Sequence, residues 1–199
     1  MTLFITSDTH FLHKNIIRFC DRPFDDVEEM TEELIKRWNE VVGTADTVLH
    51  LGDFGFQYNK LKPIVDRLNG SKILVRGNHD FSIERMTALG FHCVTGHKSD
   101  IYFNHALVND YTRRLICSHR PCDMSDFSLE DYEMWGEKQI RLVGHEHNNA
   151  PLFIRWVRDK NDTARPILAL NMSCEHWNYY PAQIEKVAEV FDAEIAKYL

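Results

Sequence analysis

Leu74-Val75-Arg76-Gly77-Asn78-His79-Asp80 is an apolar run that breaks into a turn carrying an amide, an imidazole and a carboxylate in succession. Polar groups delivered straight from a buried strand are costly unless they pair or bind something. The pattern recurs at Ser7-Asp8-Thr9-His10, Leu51-Gly52-Asp53, Ser118-His119 and Val143-Gly144-His145-Glu146-His147. Five strand ends therefore carry oxygen or imidazole donors, and a fold that brings those ends together would make one metal site of them. The spacings Asp8-x-His10 and His145-x-His147 put both side chains of each pair on one side of a regular strand. Gly52 and Gly144 would let the backbone pass close to a buried ion. Carboxylate, imidazole and one amide oxygen suit Mn, Fe, Zn or Ni better than Ca. No cysteine lies in the five clusters, which argues against a structural zinc. Each cluster alone has an ordinary reading as a helix cap or turn; their joint occurrence carries the metal reading.

Between the clusters the apolar periodicity is legible. Strands are predicted over 3–7, 47–51 and 72–76. Helices are predicted over 13–20 and 27–42, the latter opened by Asp25 and Asp26 and closed by Gly43. A further helix carries Leu61, Ile64, Val65 and Leu68, with Pro63 expected in its first turn and Asn69-Gly70 at its end. Ser82 caps another helix that runs to Leu89. From Phe91 the rhythm shifts to short strands over 91–95, 100–103, 106–108, 115–117, 140–143 and 152–158. A long apolar run over 166–172 follows, and a closing amphipathic helix carries Ile184, Val187, Val190, Phe191 and Ile195. This order predicts an α/β chain of two stacked sheets with helices outside, as one domain over 1–199.

The 199 residues are 44% hydrophobic and 27% charged, with net charge −7. That charge makes stable nucleic-acid binding unfavourable. Five cysteines without CxxC pairing, no signal-peptide pattern and no apolar run near the ~20 residues a bilayer requires predict a soluble cytoplasmic protein.

Taken in order, Asp8-x-His10, Gly52-Asp53, Gly77-Asn78-His79-Asp80, His119 and Gly144-His145-x-His147 resemble the motifs of the calcineurin-like metallophosphoesterases. Asp8-Thr9-His10-Phe11-x-His13-x-Asn15-Ile16, Arg22-Pro23-Phe24 and His119-Arg120-Pro121 resemble a small bacterial and phage branch of that superfamily. The resemblance implies a four-layer α-β-β-α sandwich with two mixed central sheets and two divalent transition-metal ions, manganese foremost. It implies Asp8, His10 and His147 on one ion, Asn78, His119 and His145 on the other, and Asp53 bridging. The implied reaction is hydrolysis of a small phosphodiester or phosphomonoester, nucleotide-like esters among them, by a metal-bridging hydroxide. The Asp-Arg pair that follows Gly-Asp in phosphoprotein phosphatases is missing here, where Phe54-Gly55-Phe56-Gln57 stands. A nuclease of the same fold and a catalytically silent scaffold are the alternatives.

His79, next to a ligand, is placed to give a proton to the leaving oxygen. Asp80 either orients that imidazole or caps the helix that follows. Arg120, His13 and Arg22 are candidate phosphate donors. The acidic segment 122–138, with Phe127, Tyr132 and Trp135, reads as a lid over the site or as a solvated helix with its aromatics turned inward. His176 is either near the cleft or ordinary packing.

Overall fold

Successive side chains of a strand point to opposite faces, and the opening strand β1 (Leu3–Thr6) is buried throughout because both faces are covered. Phe4 enters one apolar cluster with Met30, Trp38 and Leu61, whereas Leu3 and Ile5 enter a second with Leu142, Leu170 and Phe191. β2 (Thr47–His50) repeats the division, sending Val48 to the first cluster and Leu49 to the second. The computed structural model describes residues 1–94, 98–103, 113–121, 139–158 and 161–198. The expected strand over 106–108 and the acidic segment 122–138 lie outside the described residues.

With β3 (Ser71–Val75), β4 (His92–Val94) and β10 (Ala182–Gln183), these strands form a sheet in the order β10-β1-β2-β3-β4. It is parallel except for β10, which runs antiparallel to β1. The second sheet contains β5 (Lys98–Phe103), β6 (Arg113–Ser118), β7 (Gln139–Val143), β8 (Leu152–Arg158) and β9 (Ala164–Asn171), in the order β5-β6-β7-β9-β8. Its centre, β6-β7-β9, is parallel and both edges are antiparallel. The expected pair of mixed sheets is therefore present.

Four helices put their apolar stripes into the first cluster: α1 (Lys14–Phe19), α2 (Val27–Val41), α3 (Tyr58–Arg67) and α4 (Ile83–Leu89). The closing helix α5 (Ile184–Ile195) sends Ile184, Val187, Ala188 and Phe191 into the cluster between the sheets. Among the described residues no helix is long and apolar enough to cross a membrane.

Two helix ends differ from expectation. α2 starts as its Asp26 cap requires, the carboxylate accepting from Glu29 N at 2.8 Å, but it stops at Val42 in extended conformation. Gly43 lies beyond the end, its N–H donating to Asp46 Oδ2 at 2.9 Å. α3 starts at Tyr58, after Gln57 at φ +56°, so Pro63 lies past the first turn. Burial of Leu61, Ile64 and Val65 outweighs the backbone hydrogen bond that proline forgoes.

Leu61 has no exposed surface and joins α3 to the first cluster. Leu61→Ala should lower unfolding free energy by about 2–5 kcal/mol. Urea titration monitored by circular dichroism measures this, and a loss below about 1 kcal/mol would show that the cluster does not depend on it.

Candidate metal centre at the strand ends

Ligand crevices of α/β sheets form outside the carboxyl ends of parallel strands, and here two such sets of ends face each other. A parallel bridge between Ser7 and Ser173 ties the end of β1 to the end of β9, and Cys174 N donates to Ser7 O at 3.0 Å. Asp8 N donates to Gly52 O at 3.0 Å and Gly144 N to His119 O at 3.0 Å. The loops after five strands are thereby held in one place.

Two groups of ligand-type atoms result, Asp8 with His10 and His147, and Asp53 with His119 and His145. Each buried carboxylate commits one oxygen to the protein. Asp8 Oδ2 accepts from His145 N at 2.9 Å and Ser173 Oγ at 3.0 Å, while Asp8 Oδ1 has no hydrogen-bond partner. That free oxygen lies 3.9 Å from His10 Nε2 and 4.0 Å from His147 Nε2. Asp53 Oδ1 accepts from His79 N at 2.8 Å, and Oδ2 lies 3.7 Å from His10 Nε2 and 3.2 Å from His119 Nε2. Asn78 brings its Oδ1 to 3.1 Å from His119 Nε2, and His145 Nδ1 lies 3.2 Å from the same nitrogen. Both ring nitrogens of buried His10 are unpartnered. Buried polar atoms are ordinarily paired, so the orphaned Asp8 Oδ1 and His10 Nε2, 3.9 Å apart, fit a divalent cation between them.

The backbone reaches this geometry by a route other than strand alternation. Asp8, His10, Asp53, His145 and His147 lie at φ +56°, +50°, +56°, +73° and +46°, beyond the ends of their strands. Such left-handed residues are rare outside glycine and are concentrated at functional sites. The glycines answer to the same crowding. At Gly52 (φ +103°) a Cβ would meet Gly77 N at 2.5 Å, and at Gly144 it would meet Asp8 Oδ2 at 2.5 Å. Neighbouring loops, rather than an ion, demand them.

Burial and charge set the protonation states. Burial raises the Asp8 carboxyl, against the opposing pull of His119 and His147. Burial would also raise Asp53, but the hydrogen bond and charge of His119 hold it well below the usual carboxylate range. Burial pushes His10 down to about 2 and His50 down to about 3. His147 resists burial through its contacts with Cys20, Glu175 and Asp8 and is pushed up to about 10. Glu175, also raised by burial, is brought down to about 2 by His147 and Arg22.

The other expected site residues fall differently. His79 is exposed beside the centre, its ring 5.8 Å from that of His10 and 5.5 Å from that of Phe56. Asp80 neither orients that ring nor caps α4. Its carboxylate accepts from Asp53 N, Phe54 N and Gly77 N, all at 2.8 Å, and so clamps the ends of β2 and β3 together; the α4 cap is Ser82. Arg120 is exposed, with Nε 3.3 Å from Asn78 Oδ1. His13 stacks on Phe56 with ring centroids 4.2 Å apart. Arg22, expected to meet phosphate, is only 4% exposed and directs its guanidinium to Glu175 and to the carbonyls of Thr9 and Asp8. It is a brace inside the loops. His50, assigned no role, pairs with Thr9 Oγ1 at 3.0 Å, and His176 is half-buried on the short 3₁₀ turn Cys174–Trp177.

Glu175 escaped sequence reading, although its side chain is 5% exposed and its Oε1 lies 3.1 Å from His147 Nδ1. The available signal was its position: it follows the apolar run of β9 as the other donors follow their strands.

Residues 1–194 match the family model for calcineurin-like phosphoesterases. The uncharacterized protein MJ1445 of Methanocaldococcus jannaschii is 32% identical over 193 residues, which cover 96% of this chain and 91% of that one. The Gene 66 protein of Mycobacterium phage L5 is 44% identical over 80 residues, 38% of each chain. The crystal structure of AQ665, a protein of unknown function from Aquifex aeolicus, superposes with a TM-score of 0.62 at 23% identity. The match covers 95% of this chain and 98% of that one and shows a shared fold.

The protonation states imply a pH profile for the metal-free protein. His10 and His50, depressed from 6.5 to about 2 and 3, contribute stability that is present above pH 6.5 and lost as pH falls towards those values. Glu175, depressed from 4.5 to about 2, adds to the same acid limb below pH 4.5. His147, raised from 6.5 to about 10, contributes stability present below pH 6.5 and lost as pH rises through 10. Unfolding midpoints in chelator should therefore decline on both sides of pH 6.5. His147→Gln should flatten the limb between 6.5 and 10, and an unchanged alkaline limb would refute the assignment.

Proposed function

The chain belongs to the calcineurin-like phosphoesterase family, whose members are metal-dependent phosphoester hydrolases, and we propose that it hydrolyses a small, nucleotide-like phosphodiester or phosphomonoester at two divalent transition ions. The observation that carries this reading is the position of Asp53, whose Oδ2 faces His10 of one donor group and His119 of the other. A carboxylate oxygen shared in this way suits a bridging ligand. Asp8, His10 and His147 would hold one ion, and Asn78, His119 and His145 the other, with manganese the first choice for assay. When bound, such a pair supplies a more acidic water and neutralises charge on the phosphoryl oxygens.

The chain's own residues would do the rest. His79 stands at the cleft with its backbone N–H tied to Asp53 Oδ1, so its main chain is held beside the centre while the exposed imidazole lines the cleft. From there it would give a proton to the departing oxygen. Arg120, exposed beside Asn78, offers N–H donors to a phosphoryl oxygen not covered by metal. Next to the centre opens a cleft of about 520 Å3, lined by His10, His13, Phe19, Phe56, His79 and Asn149 among others. That volume suits a small molecule. Its wall is aromatic: His13 stacks on Phe56, and Phe19, 63% exposed, stands edge-on to the His13 ring at 6.5 Å. A planar group beside the scissile phosphate would pack there. The net charge of −7 disfavours long polyanions.

Hydrolysis of an aryl phosphodiester by the manganese-loaded protein tests the reading. Chelation should abolish turnover and manganese restore it. His79→Ala should keep the bound metal and lower kcat about 10²–10⁴-fold; near-normal kcat in that variant would refute the proton-donor role.

A further inference from the structure

Beside the centre, Cys20, His147 and Glu175 bring three more ligand-type atoms together. A further cation is their simplest occupant, but the Arg22 guanidinium already supplies Glu175 with a positive partner. Its Nε and Nη2 donate to Glu175 Oε1 at 3.0 and 2.7 Å. The same guanidinium donates from Nη1 to Thr9 O at 2.9 Å and from Nη2 to Asp8 O at 2.7 Å. Arg22 thus joins the loop after β1 to the turn after β9. Glu175 Oε1 also meets His147 Nδ1 at 3.1 Å.

An acceptor at one imidazole nitrogen keeps the proton there and leaves the other nitrogen's lone pair for a metal. Here the nitrogen left is Nε2, which faces the unpartnered Asp8 Oδ1 at 4.0 Å. In the second donor group His119 Nδ1 faces a backbone carbonyl, Leu51 O, at 2.9 Å. That histidine is oriented without Glu175.

We infer that Glu175 and Arg22 are positioning residues for one half of the centre: they set the tautomer and aim of His147 and the place of the Asp8–His10 loop, and leave the His119 half alone. The inference rests on the two-ion reading above. It goes beyond it by making the two ion positions unequally dependent on a carboxylate that touches neither.

Calorimetric titration of the metal-free full chain with Mn2+ tests this in the wild type and in Glu175→Gln, a near-isosteric change that keeps a neutral acceptor, with Glu175→Ala as the harsher variant. The wild type should bind two ions. Glu175→Gln should weaken one binding event about 10–100-fold and leave the other within about twofold, and Glu175→Ala should weaken the same event further. In the Zn2+-loaded protein, 15N spectra of the imidazoles should show His147 protonated at Nδ1 in the wild type and altered in Glu175→Gln, with His119 unchanged. Equal weakening of both events, or wild-type affinities with an unchanged His147 signal in Glu175→Gln, would overturn the inference while the two-ion reading stands. A wild-type chain that takes up no Mn2+ would overturn the two-ion reading itself.

Discussion

Two carboxylates buried where the sheets meet impose the main constraint on this fold. Removing an ionised carboxylate from water is costly unless its oxygens are satisfied. Asp8 and Asp53 solve half of that problem with protein: an N–H from the next loop, joined at Asp8 by the Ser173 hydroxyl, takes one oxygen of each. The remaining oxygens face imidazoles. The surrounding architecture follows from holding these groups still. The parallel strands of both sheets end at one level, the Ser7–Ser173 bridge locks the ends together, and Asp80 clamps the two neighbouring turns.

The loops that carry the donors accept unfavourable backbone in return. A left-handed conformation costs of order 1–3 kcal/mol at a non-glycine residue, and five of the donors adopt it. Aspartate and histidine tolerate that region better than most residues. The cost is offset by backbone pairing between loops, such as His10 N to Asp53 O at 3.1 Å and Phe11 N to Phe54 O at 2.9 Å. The arginine–glutamate brace belongs to the same economy: buried Arg22 spends its donors on the carbonyls and the carboxylate that define one side of the centre.

Much of this was legible in the sequence because it is local. The continuous apolar runs of β1 and β2, buried nearly throughout, and the apolar stripe of α2 follow from local sequence pattern alone, and the donors announced themselves as polar groups directly after apolar strands. What escaped reading depends on partners far along the chain. Arg22 looks like any surface arginine until Glu175, 153 positions away, stands against it. Asp80 looks like a helix cap until the amides of Asp53 and Phe54 arrive from another strand. The spacing of Asp8 and His10 suggested strand geometry, whereas the chain leaves its strand at Thr6 and turns left-handed. Pro63 suggested a late start for α3 and was overruled by the buried residues around it.

The central claim is that two adjoining ion positions share Asp53. Crystals grown with Mn2+, measured at the manganese absorption edge, test it most directly. Two anomalous peaks are expected, one bounded by Asp8, His10 and His147, the other by Asn78, His119 and His145, with Asp53 reaching both. A single peak, ions that leave Asp53 uncoordinated, or no peak at saturating manganese would contradict it.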